Sequence, residues 1–158
     1  MSKFLVVLIV AAAVSSLAGK AFAHCQVPCG IYGDEMRFQQ IEEHTTTIET
    51  SMNRIAELSK GDINYNQLIR WVSNKDEHAQ KIQDIVNAYF LTQRLKLDDG
   101  SDAQKTADYI ESLGLLHQML VHAMKCKQTV DVENVTKLRE AAAAFHEVYF
   151  KDKEHDHE

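Results

Sequence analysis

Residues 34–60, DEMRFQQIEEHTTTIETSMNRIAELSK, carry their apolar side chains at steps of three, four and seven. The apolar positions are Phe38, Ile41, Ile48, Met52, Ile55 and Leu58. Because an α-helix turns once in ~3.6 residues, these steps place the apolar side chains on one stripe. The stretch therefore predicts a long amphipathic helix that buries this stripe against other elements, and Gly61 is a natural point for it to end.

Three stretches downstream repeat the helical periodicity. The second helix is expected to begin at a cap on Asp62 or Asn64, to end near residue 97, and to turn inward Leu68, Val72, Ala79, Ile82, Val86 and Tyr89. Lys75 falls where this second stripe expects an apolar residue. The third helix is expected over 103–128, with His117 on or beside an inward face of Ala107, Ile110, Leu113, Leu120, Val121 and Met124. The fourth, capped by Asp131, is expected to turn inward Val135, Leu138, Ala142, Phe145 and Tyr149.

The composition supports helices rather than sheets. Gly (6) and Pro (1) are scarce, and the clearest loop is Asp-Asp-Gly-Ser-Asp at 98–102. Amphipathic helices joined by such short connections favour an antiparallel four-helix bundle. We therefore predict an all-α protein with one domain, in which residues 34–150 form the bundle and residues 151–158 a charged tail.

The charge of the chain excludes one class of partner. The formal charge is −6, and removal of residues 1–23, which contain Lys3 and Lys20 and no acidic residue, makes it −8. An acidic protein of this kind is not expected to bind nucleic acid. A small anionic substrate would need positive charge concentrated near its site.

Residues 1–23 have the three parts of a secretory signal peptide, namely Lys3, an apolar run over 4–19 and the small-residue site Ala21-Phe22-Ala23. The alternative is an uncleaved membrane anchor, but the run is at the short end for a span of ~20 residues. We expect signal peptidase to cut after Ala23 and to release the protein to a periplasm or an extracellular medium. No stable membrane insertion is then expected.

Cleavage at this site would place His24-Cys25-Gln26-Val27-Pro28-Cys29-Gly30-Ile31-Tyr32 at the mature N-terminus. Residues 24–33, called the hook from here on, would then carry an α-amine, an imidazole and two thiols. The amine, the deprotonated Cys25 amide and the Cys25 thiolate close adjacent chelate rings, and Cys29 can return as a fourth planar donor because Pro28 restricts the chain. Planar donors of these types suit nickel(II) or copper(II) better than zinc, with the His24 imidazole placed for an axial position.

Two other interpretations of the hook stay open at this point. Disulfides persist in exported compartments, so Cys25 and Cys29 could form a small loop that only pins the N-terminus, with Cys126 left as an unpaired, partly buried thiol. The same donors could also belong to a noncatalytic exported protein that stores or senses nickel or copper.

The hook resembles the N-terminal motif of the nickel superoxide dismutases, H-C-x-x-P-C-G-x-Y, at His24, Cys25, Pro28, Cys29, Gly30 and Tyr32. Two later stretches are also similar to the family, namely Tyr89-Phe90 in the second helix and Leu116-His117-Gln118 in the third. The resemblance implies an antiparallel four-helix bundle that assembles as a homohexamer with one nickel per subunit. It also implies conversion of superoxide to oxygen and hydrogen peroxide by Ni(II)/Ni(III) cycling.

The same resemblance implies the roles of individual residues. His24, Cys25 and Cys29 are the metal ligands, and Tyr32 and Tyr89 stand near the open face of the metal, where they order water or superoxide.

The chain differs from the family at Asp34, where the family often has proline. An acidic residue and an arginine steady the axial imidazole in the well-known branch of the family, and the candidates for that pair here are Glu42, Glu43, Arg70 and Lys75. His117 is not included among the ligands, and His155 and His157 are assigned to a solvated tail.

Overall fold

A computed structural model describes the backbone of residues 33–155 and the side chains of residues 33–151. The helices are α1 (Asp34–Leu58), α2 (Tyr65–Asp84), α3 (Ala103–Gln128) and α4 (Glu133–His155), and a π-helix, Ile85–Arg94, continues α2 without a break. The predicted signal peptide and residues 24–32 of the hook lie outside the described residues, as does the chain beyond residue 155. The described part contains no β-strand.

Contacts between neighbouring helices establish the topology. Between α1 and α2, Ser51 bonds to Asn74 and Asp34 to Tyr89, so residue numbers rise along one helix as they fall along the other. Between α4 and α1, Arg139 bonds to Glu49 and His146 to Glu35, so these two helices also run in opposite directions. The helices therefore pack in an antiparallel four-helix bundle, which confirms the predicted fold class.

The core of the bundle agrees with the sequence periodicity in three of the helices. The predicted inward residues of α1 from Phe38 to Ile55 and all those of α4 are buried, as are Ala79, Ile82, Val86 and Tyr89 in the second helix and its π-helical continuation. Val72 is 38% exposed, because the first turns of α2 reach beyond the core. The side chain of Asn64 caps α2 by accepting a hydrogen bond from the Gln67 amide at 3.2 Å, as one of its two predicted caps.

The predicted inward face of α3 is largely wrong, although Leu120 is half-buried and packs against the core. Its buried residues are Ser112, Leu116, Met119, Ala123 and Cys126, whereas Ile110 is 62% and Met124 41% exposed. This helix carries apolar residues around much of its circumference, so periodicity alone did not identify the buried face. His117 is exposed, and Cys126 is a fully buried free thiol whose pKa burial raises to about 11.

The π-helix is the second feature that the sequence did not predict. The Leu95 amide donates to the Phe90 carbonyl at 2.8 Å, and the side chains of Thr92 and Gln93 donate to the carbonyls of Asn87 and Ala88. Each of these bonds reaches back five residues rather than four. The whole helix ends close to the predicted position.

Lys75 occupies the apolar stripe of α2 and is 3% exposed. Its ammonium donates to the carbonyl oxygens of Cys126 at 2.5 Å and Lys127 at 2.7 Å, and to Asp76 at 2.8 Å. The last carbonyls of a helix have no partner within it, and a cation is favourable there. Lys75 therefore joins α2 to the C-terminal end of α3.

The fourth helix extends to His155, into the segment that we interpreted as a charged tail. Its start agrees with the predicted cap, since the Asp131 side chain accepts a hydrogen bond from the Glu133 amide at 3.1 Å. Among the described residues, no helix is both long and apolar enough to cross a membrane.

Two histidines meet between α1 and α2 and give the bundle a pH dependence. Burial lowers the pKa of both His44 and His78, and for His44 the nearby His78 and Lys81 lower it further. The folded state thus binds fewer protons at these rings than the unfolded chain, whose histidines have a pKa of about 6.5. The stabilising contribution is complete above that pH and is lost as the pH falls below it.

We expect the free energy of unfolding to fall less steeply between pH 7 and pH 5 in His44→Gln/His78→Gln than in the wild type. Urea unfolding at several pH values measures this slope. His117→Gln, which replaces an exposed histidine, is the control and should follow the wild type. Equal slopes in all three proteins would refute the assignment.

Candidate metal centre

The described chain begins at Gly33, the last residue of the hook. Gly33 has a φ of 70°, in the left-handed region that residues with a Cβ rarely adopt. It precedes the first turn of α1, where Asp34 and Glu35 place negative charge at the positive end of the helix. The exit of the hook is therefore defined by a turn that favours glycine and by a helix start.

Asp34 is the centre of a polar cluster at this end of the bundle. Its Oδ1 accepts a hydrogen bond from the Tyr89 hydroxyl at 2.5 Å and lies 2.9 Å from Arg94 Nε. Arg94 Nη2 also donates to the Tyr89 hydroxyl oxygen at 3.1 Å. Asp34 raises the pKa of Tyr149 as well, although burial of that phenol is the larger cause. The first residue after the hook is thus attached to the end of the second helix.

The π-helix explains why Tyr89 and Arg94 meet. In an α-helix, residues five apart point in directions about 140° apart, since each residue turns the chain by about 100°. The i→i+5 bonding of the π-helix places residues five apart on nearly the same face. Tyr89 and Arg94 therefore form one pair directed at Asp34.

The aromatic core makes the support of this cluster rigid. Phe90, the neighbour of Tyr89, lies 4.9 Å from Phe38 and 5.0 Å from Phe145 between ring centroids. Tyr149 packs against Phe90 at 5.5 Å. Close packing of large rings limits side-chain motion, so the Tyr89 hydroxyl is held in a fixed place.

The electrostatics of the cluster favour a protonated Tyr89 hydroxyl and the approach of an anionic ligand. Burial raises the pKa of Tyr89, and the hydrogen bond to Asp34 raises it further, so the hydroxyl keeps its proton at neutral pH. The guanidinium carbons of Arg37 and Arg94 lie 4.9 Å and 5.0 Å from the centroid of the Tyr89 ring. Arg94 is paired with Asp34, and Arg37 adds positive charge in a protein that is acidic as a whole.

Arg37 Nε indicates that a further group belongs at this place. This buried atom has no hydrogen-bond partner among the described residues, although Arg37 Nη1 donates to Gln40 at 2.9 Å. A buried donor without an acceptor is costly. Since Arg37 lies in the first turns of α1, an acceptor from the hook or an anionic substrate would suit it.

The structure describes only part of the predicted site. His24, Cys25, Cys29 and Tyr32 lie outside the described residues, and Tyr89 lies at the exit of the hook as outlined above. Among the described side chains, no group of three or more His, Cys, Asp or Glu residues is arranged to hold a metal ion. The hook therefore stays the predicted source of the nickel ligands, and the described residues around Asp34 fit a support for the chain that would carry them.

The four residues considered as partners of the His24 imidazole lie away from the Asp34 cluster. Glu42 pairs with Arg139 on α4 at 3.1 Å, and Glu43 is exposed beside His44. Arg70 lines a surface cavity near the start of α2. Lys75 lies fourteen residues before Tyr89, on the order of 20 Å along the helix. None of the four contacts the Asp34 cluster.

Sequence reasoning did not identify the partners of Tyr89. Asp34 was noticed only as a departure from a family pattern, and Arg37 and Arg94 were not singled out. The position of Arg37 one helical turn after Asp34 was the signal that could have identified it. Arg94 had no such signal, because the spacing of five from Tyr89 points away from it in an ordinary α-helix.

Comparison with known families gives the decisive observation. A model of the family described as nickel-containing superoxide dismutase matches residues 19–153, which include the hook and nearly all of the bundle. The chain belongs to the nickel-containing superoxide dismutase family. No curated protein and no solved structure gave a match.

Membership in the nickel superoxide dismutases makes the protein an oxidoreductase with a nickel cofactor and superoxide as its substrate. The local positive charge of Arg37 beside Tyr89 fits an anionic substrate of this kind. The matched residues include His24, Cys25 and Cys29, which the sequence analysis predicts as the metal ligands.

Replacing Tyr89 by phenylalanine is expected to lower the free energy of unfolding by about 1–2 kcal/mol, since a hydrogen bond to a carboxylate is lost. We expect kcat/KM for superoxide to fall by about tenfold as the first turn of α1 loses a contact that fixes it. Pulse radiolysis and urea unfolding of the nickel-loaded variant measure the two effects. Tyr65→Phe, at an exposed position in the first turn of α2, should change neither.

Proposed function

We propose that the hook holds one nickel ion per subunit and that it does so as a mature N-terminus. In this proposal the His24 amine and imidazole, the Cys25 amide and the thiolates of Cys25 and Cys29 would hold the metal. Thiolates and a deprotonated amide are strong anionic donors and suit nickel(II). When bound, nickel supplies one-electron chemistry by cycling between Ni(II) and Ni(III), so that superoxide yields oxygen and hydrogen peroxide.

The bundle's contribution in this proposal is to position the hook and to attract the substrate. Tyr32 orders water or superoxide near the open face of the site. The Tyr89 hydroxyl donates a hydrogen bond to Asp34 and thereby orders the same region by fixing the chain that leaves the hook. Arg37 supplies the positive charge that steers an anion to this end of an acidic protein.

One observation carries this assignment of roles. The Tyr89 hydroxyl bonds to the carboxylate of Asp34, which lies two residues after Tyr32 in the sequence. Tyr89 is therefore bonded to the first residue after the hook, and the motif tyrosine, Tyr32, precedes that residue by two positions in the sequence. This geometry supports a site at the hook end of the bundle.

Export and assembly complete the proposal. Signal peptidase would release His24 as the first residue, which the amine ligand requires, and the protein would act in a periplasm or outside the cell.

We also propose a homohexamer, supported by the exposed apolar side chains of Ile110 and Met124 on α3, which a second copy of the chain could cover. Light scattering on the purified protein gives the mass and tests the assembly.

Stopped-flow decay of superoxide is the test of the whole proposal. The protein should be loaded with nickel and shown by mass spectrometry to begin at His24. We expect rapid catalytic decay that is absent from the metal-free protein, and an axial electron paramagnetic resonance signal of low-spin Ni(III). Stoichiometric decay with nickel bound would instead indicate storage or sensing of the metal.

A further inference from the structure

His44 on α1 and His78 on α2 face each other in the groove between the two helices. Their Nδ1 atoms are 3.1 Å apart, and the ring centroids are 4.9 Å apart with the planes at 80°. His44 lies ten residues after Asp34, about 15 Å along α1. The proposed function assigns no role to this pair.

The separation of the two nitrogens matches the spacing of neighbouring ligands on one metal ion. Imidazole nitrogens bind zinc at about 2.0–2.1 Å. Two such nitrogens are about 2.9 Å apart at a right angle and about 3.4 Å apart at the tetrahedral angle, and the observed 3.1 Å lies between these values. We infer that His44 and His78 form a second transition-metal site that binds a divalent ion of the zinc, copper(II) or nickel(II) class through both Nδ1 atoms.

The surroundings leave room for the rest of the coordination sphere. His44 lines a cavity of about 360 Å³ together with Gln40, Lys81 and Asp84. The cavity is open to solvent and has polar side chains on its wall, so water can enter it and complete the coordination sphere that two protein ligands begin. Imidazole is a ligand that suits zinc, copper and nickel, whereas magnesium and calcium prefer oxygen.

Charge near the pair allows a cation. The positive groups on the wall of this cavity are Arg37 and Lys81, and the acidic Asp84 lies there as well. The Lys81 ammonium is paired with Glu77 at 2.7 Å. Glu43, next to His44 in α1, adds a further negative charge near both rings. Burial lowers the pKa of both imidazoles, so at neutral pH both are uncharged and can offer lone pairs.

The proton balance of binding is simple. In the metal-free pair, one imidazole carries its proton on Nδ1 and donates it to the other Nδ1. When a metal takes both Nδ1 lone pairs, that proton moves through solvent to Nε2 of the same ring. The rings stay neutral, no proton is released, and the ion connects α1 to α2.

A titration of nickel-loaded protein with zinc chloride tests the inference. Because the hook is already filled, additional zinc binding reports on other sites, and nickel content is measured before and after to exclude exchange. We expect the wild-type Tm to rise by about 2–5 °C at saturating zinc. We expect His78→Gln to weaken zinc binding by more than about tenfold, since only one of the two ligands remains.

Two control variants and one spectroscopic measurement complete the test. His117→Gln and His155→Gln/His157→Gln should bind zinc as the wild type does. Imidazole ¹⁵N chemical shifts of the wild type should show zinc on the Nδ1 atoms of His44 and His78, a readout that does not depend on any variant folding. Unchanged shifts for these two rings, or zinc binding lost only in the His155→Gln/His157→Gln protein, would overturn the inference.

Discussion

A protein with one alanine inserted between Ala23 and His24 is expected to lose more than about 100-fold in kcat/KM for superoxide. The inserted residue turns the His24 amine into a peptide amide, so the hook loses its amine ligand. It also separates the new N-terminus from Cys25 and its thiolate by one more residue. Loss of a ligand should exceed the 10–100-fold effects known for groups that only support a ligand.

Stopped-flow decay of superoxide measures the loss, and mass spectrometry must show that the chain begins at the inserted alanine. An alanine inserted after Gly100, in the exposed 98–102 loop, is the matched control and should retain activity. Both proteins should unfold at the same urea concentration as the wild type, because neither change touches the core. Full activity of the N-terminal insertion would rule out the amine as a ligand.

Lys75→Met is expected to lower the free energy of unfolding by about 2–4 kcal/mol while leaving kcat/KM unchanged in the folded, nickel-loaded protein. Methionine keeps most of the aliphatic volume but cannot donate to the carbonyls of Cys126 and Lys127. Those carbonyls then stay buried without the partner that Lys75 supplies. The favourable interaction of a cation with the C-terminal end of α3 is lost as well.

Urea unfolding measures the change in the free energy of unfolding, and the decay of superoxide is measured without urea. Lys81→Met is the matched control, because Lys81 and Glu77 form an exposed ion pair that water screens, so its loss should change the free energy of unfolding little. The sequence left open that Lys75 steadies the axial imidazole. A large loss of activity in Lys75→Met without a loss of stability would restore that interpretation.

The fold was predictable because its helices repeat one simple pattern. The stripe from Phe38 to Ile55 and the stripe from Val135 to Tyr149 are both buried as their spacing indicates. Short connections between four such helices leave few arrangements other than an antiparallel bundle. The sequence showed that Lys75 interrupts the apolar stripe of α2. Its three hydrogen bonds explain how a charged side chain can be buried there.

The buried face of α3 and the π-helix could not be predicted from the sequence for the same reason. The local pattern of residues does not show which of several possible packing arrangements the folded protein adopts. On α3 the apolar residues offer more than one possible face, and packing against α2 and α4 selects Leu116, Met119 and Ala123. In the second helix, no feature of the sequence over Ile85–Arg94 predicts hydrogen bonds between residues five apart. The partners of Tyr89 were missed because they depend on that geometry. The ligands of the hook, by contrast, remain a prediction from the motif itself.

The π-helix also makes the length of the chain at 85–94 as important as its composition. Deleting one residue at 85–88, before Tyr89, would return the segment to ordinary α-helical phase with Tyr89 and Arg94 still five residues apart, so that their side chains would point in directions about 140° apart. Every side chain of the Asp34 cluster could still be present, yet the cluster would not assemble. A single-residue deletion at 85–88 is therefore expected to act like loss of the arginine itself, whereas the same deletion in the 98–102 loop changes only a surface connection.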